Sequence, residues 1–210
     1  ARVLFVQEDI ADKVCAMLAG AMGELKVGDP GQLSTDVGPV IDADALKILV
    51  DHAARMDREA KKIGEVALDA ALTGNGTFFA PRAYEIGSLD VLQREIFGPV
   101  LHVIRWKGSE LKQVVDQINA TGYGLTLGIH SRINDTVDYI ASHARVGNCY
   151  VNRNQIGAVV GVQPFGGENL SGTGPKAGGP HYLLRFAGER TLTINTTAAG
   201  GNASLLTIGE

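Results

Sequence analysis

A carboxylate and an aromatic ring, separated by one residue, precede a Gly-Pro pair in the segment Glu95-Ile96-Phe97-Gly98-Pro99. In an extended backbone, residues i and i+2 point to the same side, so Glu95 and Phe97 could face one ligand together. A carboxylate can bind both hydroxyls of a sugar diol, and an aromatic ring can pack against a ribose or a heterocycle. The residue types also fit an exposed glutamate and a core phenylalanine at the edge of a loop, and this simpler explanation stays open.

Two further segments could line a ligand pocket. In the segment 163–167, Phe165 precedes two consecutive glycines, which allow a ligand to approach the backbone closely, although a turn with a core phenylalanine fits equally. Around Gly157 and Ala158, small side chains leave backbone N–H groups open, and paired N–H groups suit a carboxylate. A loop buried against the core is the alternative there.

Other motifs do not indicate chemistry. The glycine-rich run 171–180 superficially resembles a phosphate-binding loop, but such a loop follows a strand and opens a helix, and Pro175 removes a backbone donor. Cys15 on a helix face and Cys149 in a strand have no neighbouring base, so we interpret both as structural. The five histidines show no spacing typical of metal ligands, and no metal site is predicted.

The elements that position these residues alternate between strands and helices. Such alternation predicts an α/β fold, with a mostly parallel sheet and flanking helices. The segment Gly74-Asn75-Gly76 indicates a hairpin between two of the strands. Predicted strands run from Arg2 to Val6, Val66 to Leu72, Phe78 to Tyr84, Val100 to Trp106, Leu125 to His130, Asn148 to Asn152 and Thr191 to Asn195. Predicted helices begin near Asp9, Asp42, Ser109, Asn134 and His181, and the second of them runs to about Ile63.

Composition excludes several functional classes. The net charge of −4 provides no basic surplus to hold a polyanion, so nucleic-acid binding through this segment is not expected. No apolar run approaches the roughly 20 residues of a membrane span, and the N-terminus does not resemble a signal peptide. Two cysteines do not make a disulfide framework. The sequence therefore predicts a cytoplasmic globular protein without a membrane span.

The order of four segments identifies a family resemblance. Residues 95–100 (EIFGPV), 118–126 (INATGYGLT), 146–153 (VGNCYVNR) and 164–167 (PFGG) occur in the order found in the second half of the aldehyde dehydrogenase superfamily. The resemblance covers essentially the whole chain. Residues 159–167, 170–180 and 195–203 look like the proline utilization A group, whose members join an FAD-dependent proline dehydrogenase to an NAD-dependent dehydrogenase of L-glutamate γ-semialdehyde.

The resemblance implies a role for each candidate residue. Glu95 would hold the nicotinamide ribose hydroxyls of NAD, and Phe97 would pack beside the nicotinamide end. Backbone N–H groups of Gly157 and Ala158 would bind the α-carboxylate of the substrate, and Phe165 would line the aldehyde pocket. Each role agrees with the chemistry that the residue types allow.

The resemblance also implies a domain plan. Residues 1–190 would form an N-terminally truncated catalytic (substrate) domain, and residues 191–210 a C-terminal strand and tail that contribute an oligomer contact. The nucleophilic cysteine is expected just before Ala1, in a missing N-terminal half, so no catalytic residue is expected in this chain. FAD is expected only in an upstream proline dehydrogenase domain.

The predicted function is NAD-dependent oxidation of L-glutamate γ-semialdehyde to L-glutamate, within a bifunctional, homo-oligomeric, proline-catabolic enzyme. The chain alone is expected to be inactive. Two alternatives stay open. One is a non-catalytic fragment that serves oligomerisation or interaction, and the other is an aldehyde dehydrogenase for a different acid semialdehyde. In the second case, bulky residues in place of Gly157 and Ala158 would leave substrate preference unaffected.

Overall fold

The computed structural model describes residues 1–172, 174–195 and 198. Thr173 and most of the predicted tail therefore lie outside the described residues. So do residues 199–203 of the C-terminal segment that carried part of the family resemblance.

The elements alternate between strand and helix along most of the chain. The strands are β1 (Val3–Gln7), β2 (Lys61–Glu65), β3 (Arg82–Glu85), β4 (Val100–Trp106), β5 (Tyr123–Gly124), β6 (Thr126–Ile129), β7 (Asn148–Val151) and β8 (Glu168–Asn169). The α-helices are α1 (Glu8–Gly23), α2 (Ala43–Glu59), α3 (Ala70–Thr73), α4 (Leu111–Ala120) and α5 (Asn134–His143). Short 3₁₀ turns occupy Leu89–Val91, Gly108–Glu110 and Leu183–Phe186.

A four-stranded sheet in the order β1-β4-β3-β2 organises the first half of the chain. β4 is parallel to both β1 and β3, and β2 is antiparallel to β3. In the second half, β6 and β7 form a parallel pair, while β5 and β8 form a short antiparallel pair. Most of the pairing is parallel, and the predicted α/β fold is confirmed.

Strand β4 shows how the sheet is sandwiched between two helices. Its side chains at Val100 and Ile104 belong to the apolar cluster of α2, whereas Val103 belongs to that of α1. Period-2 alternation of a strand produces this division, because successive side chains point to opposite faces. The α2 cluster also contains Leu49, Ala53, Met56, Phe79, Tyr84, Ile86 and Ile96, all buried.

Helix α2 has a defined start and ends before the predicted position. The Asp42 carboxylate accepts a hydrogen bond from the Ala45 N–H at 2.8 Å and satisfies a donor that the first turn leaves free. The prediction that this helix reaches Ile63 is wrong, because the chain becomes extended at Ala60 and continues as β2. Pairing with β3 overrides the helical preference of the lysines there.

The hairpin predicted at residues 74–76 is also wrong. The apolar run predicted as its first strand contains the short helix α3, started by Asp69, whose carboxylate accepts from the Ala71 N–H. The antiparallel partner of β3 is β2, and the connection between them is much longer than a two-residue turn. Tertiary pairing overrides the local turn residues in this part of the chain.

The end of the described chain lacks the predicted strand. Residues 191–195 are exposed and pair with no other strand in the described part of the chain. A strand requires a partner for its backbone donors and acceptors, and residues 1–172 and 174–190 provide none. In the same described ranges, no helix is long and apolar enough to cross a bilayer.

Candidate active site

Glu95 and Phe97 lie on the loop that enters β4, and Arg2 contacts both. The Arg2 Nε donates to Glu95 Oε1 at 3.1 Å, and the guanidinium carbon lies 4.4 Å from the centre of the Phe97 ring. Phe97 is 74% exposed, unlike a core phenylalanine, whereas Ile96 between the two is buried. The two side chains therefore project from the same side of the loop.

Gly98 fixes the path of this loop above α2. Its φ is +155°, and a Cβ at this position would stand 2.6 Å from Leu49 Cδ1. Leu49 is fully buried, so it has no free space into which it could move. A glycine is required here, and it allows the backbone to lie directly against the core before Val100 begins β4.

A buried histidine pair holds the backbone of Arg2. The Arg2 carbonyl accepts from the His102 backbone N–H at 3.1 Å, and His102 Nδ1 lies 3.2 Å from the same oxygen. Because a carbonyl only accepts, His102 carries its proton on Nδ1 and presents Nε2 as an acceptor. His52 Nε2, at 2.8 Å, is then the donor to His102 Nε2.

This geometry keeps both histidines neutral. Burial and the neighbouring His102 lower the pKa of His52 to about 4, and burial also lowers the pKa of His102. A proton added to His102 Nε2 would face the donor of His52, so the pair resists protonation. The pair ties α2 to the sheet beneath Arg2.

The loop 153–163 presents backbone donors. A tight hairpin is closed by hydrogen bonds between Val159 and Gln163 in both directions, at 3.0 and 2.7 Å. Directly before it, the Gly157 and Ala158 N–H groups make no hydrogen bond within the described part of the chain. The buried Oε1 of Gln163 likewise has no partner among residues 1–172 and 174–195.

Arg153 braces the start of this loop. Its Nε donates to the Asn154 carbonyl at 3.3 Å and its Nη2 to the Ile156 carbonyl at 3.1 Å, while the guanidinium lies over the Tyr150 ring. A Cβ on Gly157 would stand 2.7 Å from Arg153 Nη2. The two free N–H groups are thus accompanied by a positive charge, which favours an anionic ligand.

Phe165 lines a cleft that does not include the free N–H groups of Gly157 and Ala158. Together with Tyr182 and Phe186 it lines an open cleft of about 290 Å³. A neighbouring cleft of about 410 Å³, beside β7, is lined by Arg153 and Gln163 among others. Gly157 and Ala158 line neither of these two clefts.

The cysteines of this chain lack the surroundings of a nucleophile. Although Cys149 is exposed, partial burial of its thiol raises the pKa, which disfavours the reactive thiolate. No hydrogen bond from a base to Cys15 or Cys149 is present among the described residues. In the same ranges, no cluster of three or more histidines, cysteines or carboxylates could hold a metal ion.

The structure places the predicted residues in two groups: Glu95 and Phe97 near the chain start, and Gly157, Ala158 and Phe165 in the second half. No hydrogen bond, ion pair or ring contact joins the two groups among the described residues. Sequence reasoning missed Arg2, which lies 93 residues from Glu95 and reaches it because β1 pairs with β4. It also missed a binding role for Arg153, the second residue after β7.

The sequence as a whole matches a known family. Residues 1–192 match the model described as the aldehyde dehydrogenase family. The chain belongs to the aldehyde dehydrogenase family. The bifunctional protein PutA of Klebsiella aerogenes is 53% identical over 193 residues, which are 90% of this chain and 15% of that protein. The 1-pyrroline-5-carboxylate dehydrogenase of Geobacillus sp. (strain WCH70) is 35% identical, over 90% of this chain and 36% of that protein.

Solved structures of family members agree with these matches. A variant of proline utilization A from Bradyrhizobium japonicum superposes with a TM-score of 0.88 at 56% identity, covering 95% of this chain and 20% of that one. A 1-pyrroline-5-carboxylate dehydrogenase from Thermus with bound NAD gives a TM-score of 0.78 at 34% identity, covering 89% and 35%. The chain thus spans a minor part of each aldehyde dehydrogenase relative.

Proposed function

We propose that this chain is the substrate-domain part of a dehydrogenase that oxidises L-glutamate γ-semialdehyde to L-glutamate with NAD, within a longer bifunctional proline-catabolic enzyme. The observation that carries the proposal is the contact of Arg2 with both Glu95 and Phe97. From the family resemblance, we expect the nucleophile in the segment before Ala1. The predicted cofactor-binding side chains therefore lie beside the predicted position of the reacting sulfur, as hydride transfer requires.

The residues present fit the nicotinamide end of NAD. Glu95 is half exposed, and its Oε2 has no hydrogen bond or ion pair in the described part of the chain, so it can accept from a ribose hydroxyl. Phe97 exposes enough of its ring to pack against a ribose or a heterocycle. When bound, NAD supplies the hydride acceptor. Glu95 and Phe97 orient it, and FAD belongs to an upstream domain of the longer enzyme.

The second group of residues supports an acidic substrate. The N–H groups of Gly157 and Ala158 lack other partners within the described ranges, and the guanidinium of Arg153 lies against Gly157. Donors preorganised in this way bind a carboxylate without the cost of breaking internal hydrogen bonds. An aldehyde with a carboxylate at its other end is the matching substrate class, and L-glutamate γ-semialdehyde belongs to it.

The second part of the proposal concerns the C-terminal tail, residues 191–210. Leu192 is 71% exposed and Ile194 is 70% exposed. We assign residues 191–210 to a contact between copies of the enzyme, which would cover these side chains and stabilise a homo-oligomer. Residues 1–190 then form the substrate domain, completed by the N-terminal half.

Gly157→Ala tests the substrate assignment in the complete polypeptide that carries this chain. The added Cβ meets Arg153 Nη2 at 2.7 Å, and the backbone φ of +141° is one that L side chains rarely adopt, so Arg153 or the loop must shift. We expect the KM for L-glutamate γ-semialdehyde to rise on the order of 10- to 100-fold, the range for losing a hydrogen bond to a charged group. The KM for butanal, which has no carboxylate, should change little.

Gly161→Ala is the matched control for this experiment. Gly161 lies in the same hairpin and also has a positive φ, of +76°, but a Cβ there meets nothing within 4 Å. Its kinetic effect should be small for both aldehydes. Equal losses for the acidic aldehyde and for butanal in Gly157→Ala would contradict carboxylate binding by this loop, and would favour a dehydrogenase for a different aldehyde.

A further inference from the structure

The backbone on both sides of Phe165 is held by one buried amide. The Asn148 side chain, on β7 and only 9% exposed, donates from Nδ2 to the Pro164 carbonyl at 3.0 Å. Its Oδ1 accepts from the Gly166 N–H at 3.1 Å. The two bonds straddle Phe165, so the amide fixes the direction in which this residue leaves the backbone.

A lysine from the glycine-rich run completes the arrangement. Lys176 Nζ donates to the Gly166 carbonyl at 2.7 Å, to the Gly147 carbonyl, and to Asn148 Oδ1 at 3.3 Å. These three oxygens take all three protons of the ammonium group, which leaves it no free donor. The lysine therefore joins the glycine-rich run, the loop of Phe165 and the start of β7.

Backbone contacts reinforce the same juxtaposition. Phe165 and Ala177 exchange hydrogen bonds at 3.0 and 2.8 Å, which brings Lys176 beside Gly166. Gly147 is a glycine for a steric reason, because a Cβ there would overlap the Gly166 carbonyl oxygen. The loop thus rests directly on β7, and the cost of a buried asparagine in a strand is offset by satisfied hydrogen bonds.

We propose that Asn148 and Lys176 are positioning residues for Phe165, and that they set the width of the aldehyde pocket through the orientation of its ring. The inference rests on the proposed function, in which Phe165 lines that pocket. It assigns the glycine-rich run 171–180 a structural role instead of phosphate binding. Lys176 of this run holds the loop of Phe165 in place. Both side chains also line the neighbouring cleft of about 410 Å³. Their proposed role is to hold the loop of Phe165 rather than to bind the substrate.

The test uses Lys176→Met and Asn148→Ala in the complete polypeptide, with steady-state kinetics for both substrates. We expect the KM for L-glutamate γ-semialdehyde to rise about tenfold in each variant, since small misplacement of a pocket wall is costly. The KM for NAD should stay within about twofold, because Glu95 and Phe97 lie on a separate loop. Less folded enzyme would instead lower the apparent kcat and leave both KM values unchanged, which would contradict the proposal.

Two comparisons separate positioning from general stability. Lys112→Met is the control, because Lys112 is exposed on α4 and has no hydrogen bond or ion pair in the described ranges. It should change neither KM. The double variant Lys176→Met/Phe165→Ala should have the same aldehyde KM as Phe165→Ala alone, since the lysine acts through the ring. Additive effects in the double variant would overturn the proposal.

Hydrogen exchange of the Gly166 amide gives a readout that does not depend on the substrate. Exchange in the peptide that covers residues 164–167 should accelerate at least tenfold in Asn148→Ala and Lys176→Met but not in Lys112→Met. Faster exchange with an unchanged aldehyde KM would refute the positioning role. If the wild-type enzyme does not oxidise the semialdehyde, the proposed function fails, and exchange alone then decides whether the two residues hold the loop.

Discussion

At the scale of single residues, polar contacts between distant segments define the candidate site. Arg2 joins the chain start to Glu95 and Phe97, and its carbonyl is held by a buried histidine. The residue types of Glu95 and Phe97 were sufficient to suggest a diol and a ring as their ligand. The partner Arg2 was not predictable, because its contact depends on which strands become neighbours.

The His52–His102 pair makes stability depend on pH. His52 has a pKa of about 4 in the folded chain, lowered by burial, by His102 and by the cations Arg55 and Arg94, against 6.5 for the free side chain. The unfolded chain therefore binds more protons between these values. The contribution of the pair is complete above pH 6.5 and is lost as the pH falls towards 4, by roughly 3 kcal/mol.

Urea unfolding of the chain at pH 7 and at pH 5 checks this prediction. The wild type should lose stability over this interval. The variant His52→Gln, which keeps an N–H donor for His102 but does not titrate, should lose clearly less. An identical pH dependence in the two proteins would mean that the buried pair is not the group that titrates.

At the scale of elements, the site loop depends on the packing of α2 against β4. The α/β alternation and the elements β4, α4 and β7 were predictable from hydrophobic periodicity, since each of these elements buries one face. Helix α5 was predicted with the correct start, although none of its residues is buried. The end of α2, the strand β2 and the helix α3 were not predictable from the sequence, because they depend on the pairing of β2 with β3. The turn signal at Gly74-Asn75-Gly76 marks a real turn but not the predicted hairpin.

Gly98→Ala tests the packing that positions the loop of Glu95 and Phe97. A Cβ there would stand 2.6 and 2.7 Å from the two methyl groups of the buried Leu49. We expect the free energy of unfolding to fall by about 1–3 kcal/mol or more, the usual cost of overpacking with added backbone strain. Urea unfolding measures it.

Gly87→Ala is the control for this substitution. Gly87 lies in the loop after β3, has no positive φ, and would meet nothing within 4 Å with a Cβ. Its unfolding free energy should change by no more than about 0.5 kcal/mol. Equal effects of the two substitutions would contradict the tight approach of Gly98 to Leu49.

At the scale of the whole molecule, the chain is one part of an aldehyde dehydrogenase architecture. Its matches cover 90% of the chain but only 15% of PutA from Klebsiella aerogenes and 36% of the Geobacillus dehydrogenase. The two groups of candidate residues make no direct contact among the described residues. Under the proposed function, the nucleophile and most of the cofactor site come from the rest of the longer enzyme.

Family membership was predictable from the order of four short segments, because each one carries a local backbone requirement and all four together are specific. The oligomer contact at residues 191–210 stays a prediction. The strand predicted at residues 191–195 is wrong, since this segment pairs with no strand in the described ranges.

The most direct test of the central claim is NADH formation from L-glutamate γ-semialdehyde by the complete polypeptide, with the 210-residue chain assayed in parallel. We predict NAD-dependent oxidation of the semialdehyde by the complete polypeptide, and loss of most of that activity in Glu95→Ala. The 210-residue chain should form no NADH, because the pKa of the Cys149 thiol is raised and neither cysteine is hydrogen-bonded to a base among the described residues. No oxidation by the complete polypeptide, or full activity of the chain alone, would contradict the proposed function.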